Sequence, residues 1–204
     1  MNKSAKGFTL IELLVVIAIV AILSVVVILT LNPAELLRQA RDSNRLSDIS
    51  TLRGAIALYQ ADLNQVVLTP SGGENVCYTS TSTLTGGVDQ CGSNGTALFA
   101  SAYLTQTTTT AYLGNQSIDG TGWIPLNFTA ISAGSPFPII PLDPINSSDY
   151  YYAYAATSTR GGTFKVVASR LESTRYAQGG NSDVVSHDGG PNNDALEMGT
   201  NMDL

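Results

Sequence analysis

Histidine, cysteine and charge are all scarce in these 204 residues. There is one histidine, there are two cysteines, and only 13% of positions are Asp, Glu, Lys or Arg. With His187 alone and Cys77 and Cys91 fourteen positions apart, no nitrogen and sulfur ligand set stands at zinc spacing. No phosphate-binding glycine loop, nucleophile elbow or HExxH motif is present, and His187 lies in the loop-like stretch SDVVSHDGGPNNDALE without a catalytic partner set. No catalytic residue is assigned, an enzyme is not expected, and no cofactor is implied. Lys and Arg are missing altogether from residues 66–122, and residues 66–204 hold four cations against eleven acids. Phosphate contacts require clustered cations, so this balance argues against nucleic acid as a partner. Arg160, Lys165, Arg170 and Arg175 form the one local basic group, which reads as a surface facing an acidic neighbour before it reads as a DNA contact.

What the chain does have is concentrated at its start, MNKSAKGFTLIELLVVIAIVAILSVVVILTL. A hydrophilic leader with Lys3 and Lys6 ends in Gly7, and Phe8 opens an apolar run to Leu31. As a helix, that run would be about 36 Å long, enough to cross a hydrocarbon core of about 30 Å. It is longer than a secretory signal and lacks a small-residue cleavage motif near its end, so it reads as a retained membrane segment. The lysines ahead of it place the N-terminus in the cytoplasm and the following domain outside.

Glu12 is the anomaly in this run. A carboxylate within a membrane helix costs about 2.5–3.5 kcal/mol even on gentle insertion scales, and a plain anchor has no use for it. A cut between Gly7 and Phe8 would create an α-amino cation four residues before Glu12. In a bundle of such helices, Glu12 of one copy could neutralise the Phe8 amine of the next and so fix their register.

The segment Gly7-Phe8-Thr9-Leu10-Ile11-Glu12, with the apolar run behind it, resembles the N-terminal signal of type IV prepilins and type II secretion pseudopilins. The resemblance implies that a prepilin peptidase cuts after Gly7 and N-methylates Phe8, and that Glu12 is the acid required for assembly. It implies as partners other copies of the chain, minor pilins and an inner-membrane assembly platform. The location implied is the inner membrane first, then a cell-surface or periplasmic filament. A type II secretion pseudopilin, and a membrane-anchored binding module that never polymerises, are the alternatives.

Beyond the run, Asn32-Pro33 predicts either an N-capped start of a second helix or a kink in one long helix at Pro33. Ile49, Leu52, Ile56, Tyr59 and Leu63 recur every three or four positions, which predicts an amphipathic helix over 34–64. Arg38, Arg41, Asp42, Arg45 and Asp48 lie off most of that stripe and read as a solvated face, or as pairs within or between subunits. ARDSNRLSDISTLRGAIALYQAD also resembles the outer half of the long pilin helix. Behind a membrane anchor, Cys77 and Cys91 read as a disulfide, which adds about 3 kcal/mol by restricting the unfolded chain; two buried thiols are the alternative.

Thr96 to Leu104 reads as a short helix and Trp123 to Phe128 as a strand. PFPIIPLDP, with four prolines, reads as an extended loop. Tyr150 to Ala156 and Thr163 to Leu171 read as a hairpin around Gly161-Gly162. GWIPLNF, PLDP, YYYAY and FKVVASRLE resemble the outer domain of pilin-like proteins. In the C-terminal tail, Asp183, Asp188 and Asp194, with Glu197 nearby, offer oxygen ligands suited to calcium, although their order does not match an EF-hand loop. The fold expected is α+β: a long N-terminal α-helix, transmembrane then amphipathic, with a small antiparallel β-sheet packed on its outer half. Its parts are a leader (1–7), a membrane or filament-core helix (8–31), an amphipathic half (32–65) and an extracytoplasmic β-rich head (66–204).

Overall fold

The computed structural model describes residues 7–63, 67–69, 76–81, 98–99, 114–157 and 162–204. The chain divides into two compact units, Met1–Arg38 and Gln39–Leu204.

The first unit holds helix α1 (Leu10–Leu31) and the start of α2 (Pro33–Asp62). The large apolar side chains of α1 are exposed on every side of it, from Leu10 to Leu31. Its polar residues are satisfied within the helix: the Ser24 hydroxyl donates to the Val20 carbonyl at 2.7 Å and that of Thr30 to Val26 at 3.0 Å. Such back-bonding suits a helix that water does not reach. At Asn32 the backbone turns left-handed, with φ 41°, and α1 ends. Pro33 then occupies the first position of α2, where its missing N–H and fixed φ cost nothing. The Glu35 N–H donates to the Asn32 carbonyl at 3.0 Å. Of the two readings of Asn32-Pro33, the structure adopts a break followed by a new, capped helix.

The second unit is built on α2 from Gln39 onward. Asp42, Arg45, Ile49, Leu52, Ala55, Ile56 and Tyr59 are its buried residues, spaced to form one face. Four antiparallel strands follow in the order β1 (Val76–Thr79), β2 (Tyr152–Thr157), β3 (Thr163–Ala168), β4 (Leu196–Gly199). The register pairs Tyr78 with Tyr154, Tyr154 with Val166, and Val166 with Met198. Because side chains alternate across a sheet, Tyr78, Tyr152, Tyr154, Phe164, Val166 and Leu196 pack in one core cluster with Ile49, Leu52, Ile56 and Trp123. Cys77, Ala153, Ala155 and Val167 point the other way, into a second cluster with Leu98, Phe99, Ala195 and Leu204. Both faces of the sheet are therefore covered. This explains why β2 is buried at every position and does not alternate apolar with polar.

Several expectations are corrected. Trp123 to Phe128 is not a strand. Pro125 offers no N–H to a ladder, and Trp123 through Leu126 are buried in succession, filling the core as a loop. The Trp123 indole N–H donates to the Pro141 carbonyl at 3.0 Å, and Phe128–Ala130 forms a single 3-10 turn. The second hairpin strand stops at Ala168, because the Ser169 hydroxyl turns to the Asp149 carbonyl and to the Tyr151 N–H. Of the two readings of the α2 charges, the solvated face fails for Asp42 and Arg45, which are fully buried and paired within the chain, while Arg38 stays exposed. Of the short helix read at Thr96 to Leu104, only Leu98 and Phe99 lie among the described residues. Cys91 lies outside them as well, while Cys77 is buried on β1.

Arg45 is the centre of a buried ionic knot. Its Nε and Nη2 donate to Asp143 at 2.6 and 2.9 Å, and its Nη1 to Asp42 at 2.8 Å and to Glu172 at 2.6 Å. Asp42 also accepts the N–H groups of Glu172 and Ser173, and Asp143 those of Ile145 and Asn146. Burial opposes the Arg45 charge, but the Asp143 hydrogen bond and charge outweigh it and the guanidinium is held ionised. Arg41 clamps the other side of Glu172, and that hydrogen bond, against some desolvation, draws the Glu172 carboxyl below its ordinary range. One helix is thereby tied to two loops about 100 to 130 residues away in sequence.

Candidate functional site

The sequence directs attention to the start of α1. Gly7 and Phe8 precede the helix in extended or irregular backbone, and Phe8 is 86% exposed. A side chain built on Gly7 would meet nothing within 4 Å.

Thr9 is the N-cap of α1 and Glu12 its third residue, in a reciprocal capping box. The Thr9 backbone N–H and hydroxyl each donate to Glu12 Oε2 at 2.8 Å, and the Glu12 N–H donates back to Thr9 Oγ1 at 3.3 Å. The carboxylate also sits at the positive end of the helix dipole. Within one chain, then, Glu12 is part-satisfied by its own helix start. Among the described residues its second oxygen, Oε1, takes no hydrogen bond. Sequence reading found the unpaired charge of Glu12 but not Thr9, although threonine three residues before glutamate at the head of an apolar run is a capping signal.

The stretch Leu10–Ile28 is long and apolar enough to cross a membrane. It carries one charge, Glu12, and that lies in its first turn.

The C-terminal aspartates do not come together. Asp183 accepts the Gly179 N–H at 2.7 Å and the Ser186 N–H at 3.0 Å, folding its own loop. Asp188 accepts the N–H groups of Gly190 and Glu197 at 2.8 and 2.7 Å. Among the described residues no group of three His, Cys, Asp or Glu side chains could hold a metal ion. The Asp183 and Asp188 carboxylates are spent on nearby amides instead of being pooled, and Asp183, Asp188 and Asp194 do not form a calcium cage. The four cations of the local basic group differ in their surroundings. Lys165 is fully buried against Glu197, Arg170 and Arg175 are exposed, and Arg160 lies outside the described residues.

Residues 2–28 match the family described as the prokaryotic N-terminal methylation motif. No curated protein and no solved structure matches the chain. The methylation motif, together with the apolar, exposed N-terminal helix that follows it, fits the N-terminal segment of a prepilin-type pilin or pseudopilin precursor.

Proposed function

We propose that this protein is a structural subunit of a type IV pilus-like filament. It is made as a single-pass inner-membrane precursor with its N-terminus in the cytoplasm. A prepilin peptidase cuts between Gly7 and Phe8 and N-methylates Phe8. The α1 helices of many copies, with minor pilins, are then stacked by an assembly platform, and the heads from Gln39 onward face outward. The observation that carries this reading is the pairing of an apolar, unpacked α1 with one carboxylate that has an oxygen to spare. Oε2 stays with Thr9 while Oε1 receives the new Phe8 amine of a neighbour. Desolvating both charges is tolerable only when they meet, which selects one register of stacking. A bridge between Cys77 and Cys91 belongs to the same proposal, as a clasp formed outside the cytoplasm.

The test is mass spectrometry of the mature N-terminus together with microscopy of sheared fibres. A chain beginning at methylated Phe8 and present in those fibres is expected. A chain that keeps Met1 in its native cell refutes the reading. Processing without release of fibres on shearing moves the protein to the short periplasmic fibres of a pseudopilin.

A further inference from the structure

The second face of the sheet carries a pair that assembly does not use. Lys165 on β3 and Glu197 on β4 are both fully buried, with Nζ 2.7 Å from Oε1. Lys165 is the only lysine after Gly7. The phenyl ring of Phe99 lies 5.1 Å from Nζ, and the Met202 carbonyl accepts a second Nζ proton at 3.2 Å. The other carboxyl oxygen, Oε2, accepts the Asn192 N–H at 2.9 Å. Gly190 makes the space for this, since a Cβ there would fall 1.9 Å from Oε2. A second acid, Asp188, holds the Glu197 backbone N–H at 2.7 Å and stands within Coulombic reach of both partners. Burial is the largest influence on Asp188 and Glu197 and raises both, favouring their neutral forms.

We propose that Lys165 and Glu197 condense into an intramolecular amide that joins β3 to β4 covalently. The pair contains all the atoms needed. One proton passes from Nζ to Oε1, leaving a neutral amine against a neutral acid. The nitrogen lone pair bonds to Cδ, and the Asn192 N–H holds the negative charge that develops on Oε2. The Cδ–Oε1 bond then breaks. Oε1 keeps the proton it received, takes a second from the nitrogen while Asp188 holds the Glu197 main chain in place, and departs as water. Nothing is oxidised or reduced, and no co-reactant enters.

Three features drive the step. Two groups fixed in contact react as if at roughly 10⁵ M or more. The site is dry around Nζ, which works against the reverse hydrolysis. The product also removes two buried charges that the fold otherwise has to keep desolvated. The released water has a way out through a surface cavity of about 320 Å³ lined by Asp188, Glu197, Arg53 and Met202.

The full chain, purified from membranes in detergent, is reduced, denatured and digested with trypsin. The amide predicts no cleavage after Lys165 and a branched product of peptides 161–170 and 176–204, lighter by one water than their sum. Glu197→Ala restores cleavage after Lys165. In Asp188→Asn, checked for folding by Trp123 fluorescence, the branched product forms more slowly. Separate peptides 161–165 and 166–170 from folded wild-type protein, at full mass, overturn the amide without recourse to any variant. Unchanged linkage in Asp188→Asn overturns the part given to that residue.

Discussion

Replacing Arg45 by methionine keeps the length and apolar stem of the side chain and removes its charge. Four charge-assisted hydrogen bonds disappear, two to Asp143 and one each to Asp42 and Glu172. Three carboxylates would stay behind, Asp42 and Asp143 fully or almost fully buried. Orphaning a buried charge typically costs about 3–5 kcal/mol. Here the remaining acids retain partners: backbone N–H groups on Asp42 and Asp143, and Arg41 on Glu172. The lower end, about 3 kcal/mol, is therefore expected. The assay is urea unfolding of the full chain in detergent, followed by the fluorescence of Trp123, which is the only tryptophan and fully buried. The midpoint should fall with the slope unchanged. A loss under about 1 kcal/mol, the value for an exposed ion pair, would refute the view that this knot holds the head on α2.

Glu12→Ala should leave cleavage at Gly7 intact and abolish sheared fibres, whereas Glu12→Gln, which keeps the capping geometry without the charge, should also cleave but assemble poorly; normal fibres from either count against charge pairing. Glu172→Gln should flatten the acid limb of the stability curve. The Glu172 pKa lies below its unfolded value, so the stability it confers is present above the ordinary carboxylate range and is lost as pH falls through the folded value; an unchanged acid limb in calorimetric melts contradicts this. Cys77→Ser should lower stability by about 3 kcal/mol in oxidised protein, and a thiol assay on unfolded, unreduced wild type that finds two reactive thiols removes the proposed bridge. Gly199→Ala should destabilise the β3–β4 pairing, because its Cβ would lie 2.2 Å from the Phe164 carbonyl oxygen; wild-type melting would argue that the strands part there at little cost.

The beginning of the chain was legible because its signals are local. Gly7, Phe8, Glu12 and the run to Leu31 stand within one uninterrupted segment, and so does the apolar stripe of Ile49, Leu52, Ile56 and Tyr59. The β2–β3 hairpin was legible for the same reason, apart from its far end. Strands β1 and β4 were not. Each has four residues, and β4 carries Glu197 and Gly199, whose places are decided by Lys165 and Phe164 some thirty positions away. The burial of Asp42 and Arg45 was hidden for a stronger version of that reason. Helical periodicity assigns charged residues to water, and only partners at Asp143 and Glu172 reverse the assignment. The aspartates of the tail misled in the opposite sense. Their density suggested a shared ion, while Asp183 and Asp188 in fact each close a turn of their own.

Leu10, Ile11, Leu13, Val15, Val16 and Ile19 distribute grease around the entire cylinder of α1, leaving no preferred side. A partner that needs a stripe, such as a two-stranded coiled coil, would find no seam to grip and would leave the opposite flank wet. Only an environment that encloses the rod from all directions, whether acyl chains or a ring of identical rods, can keep it dry.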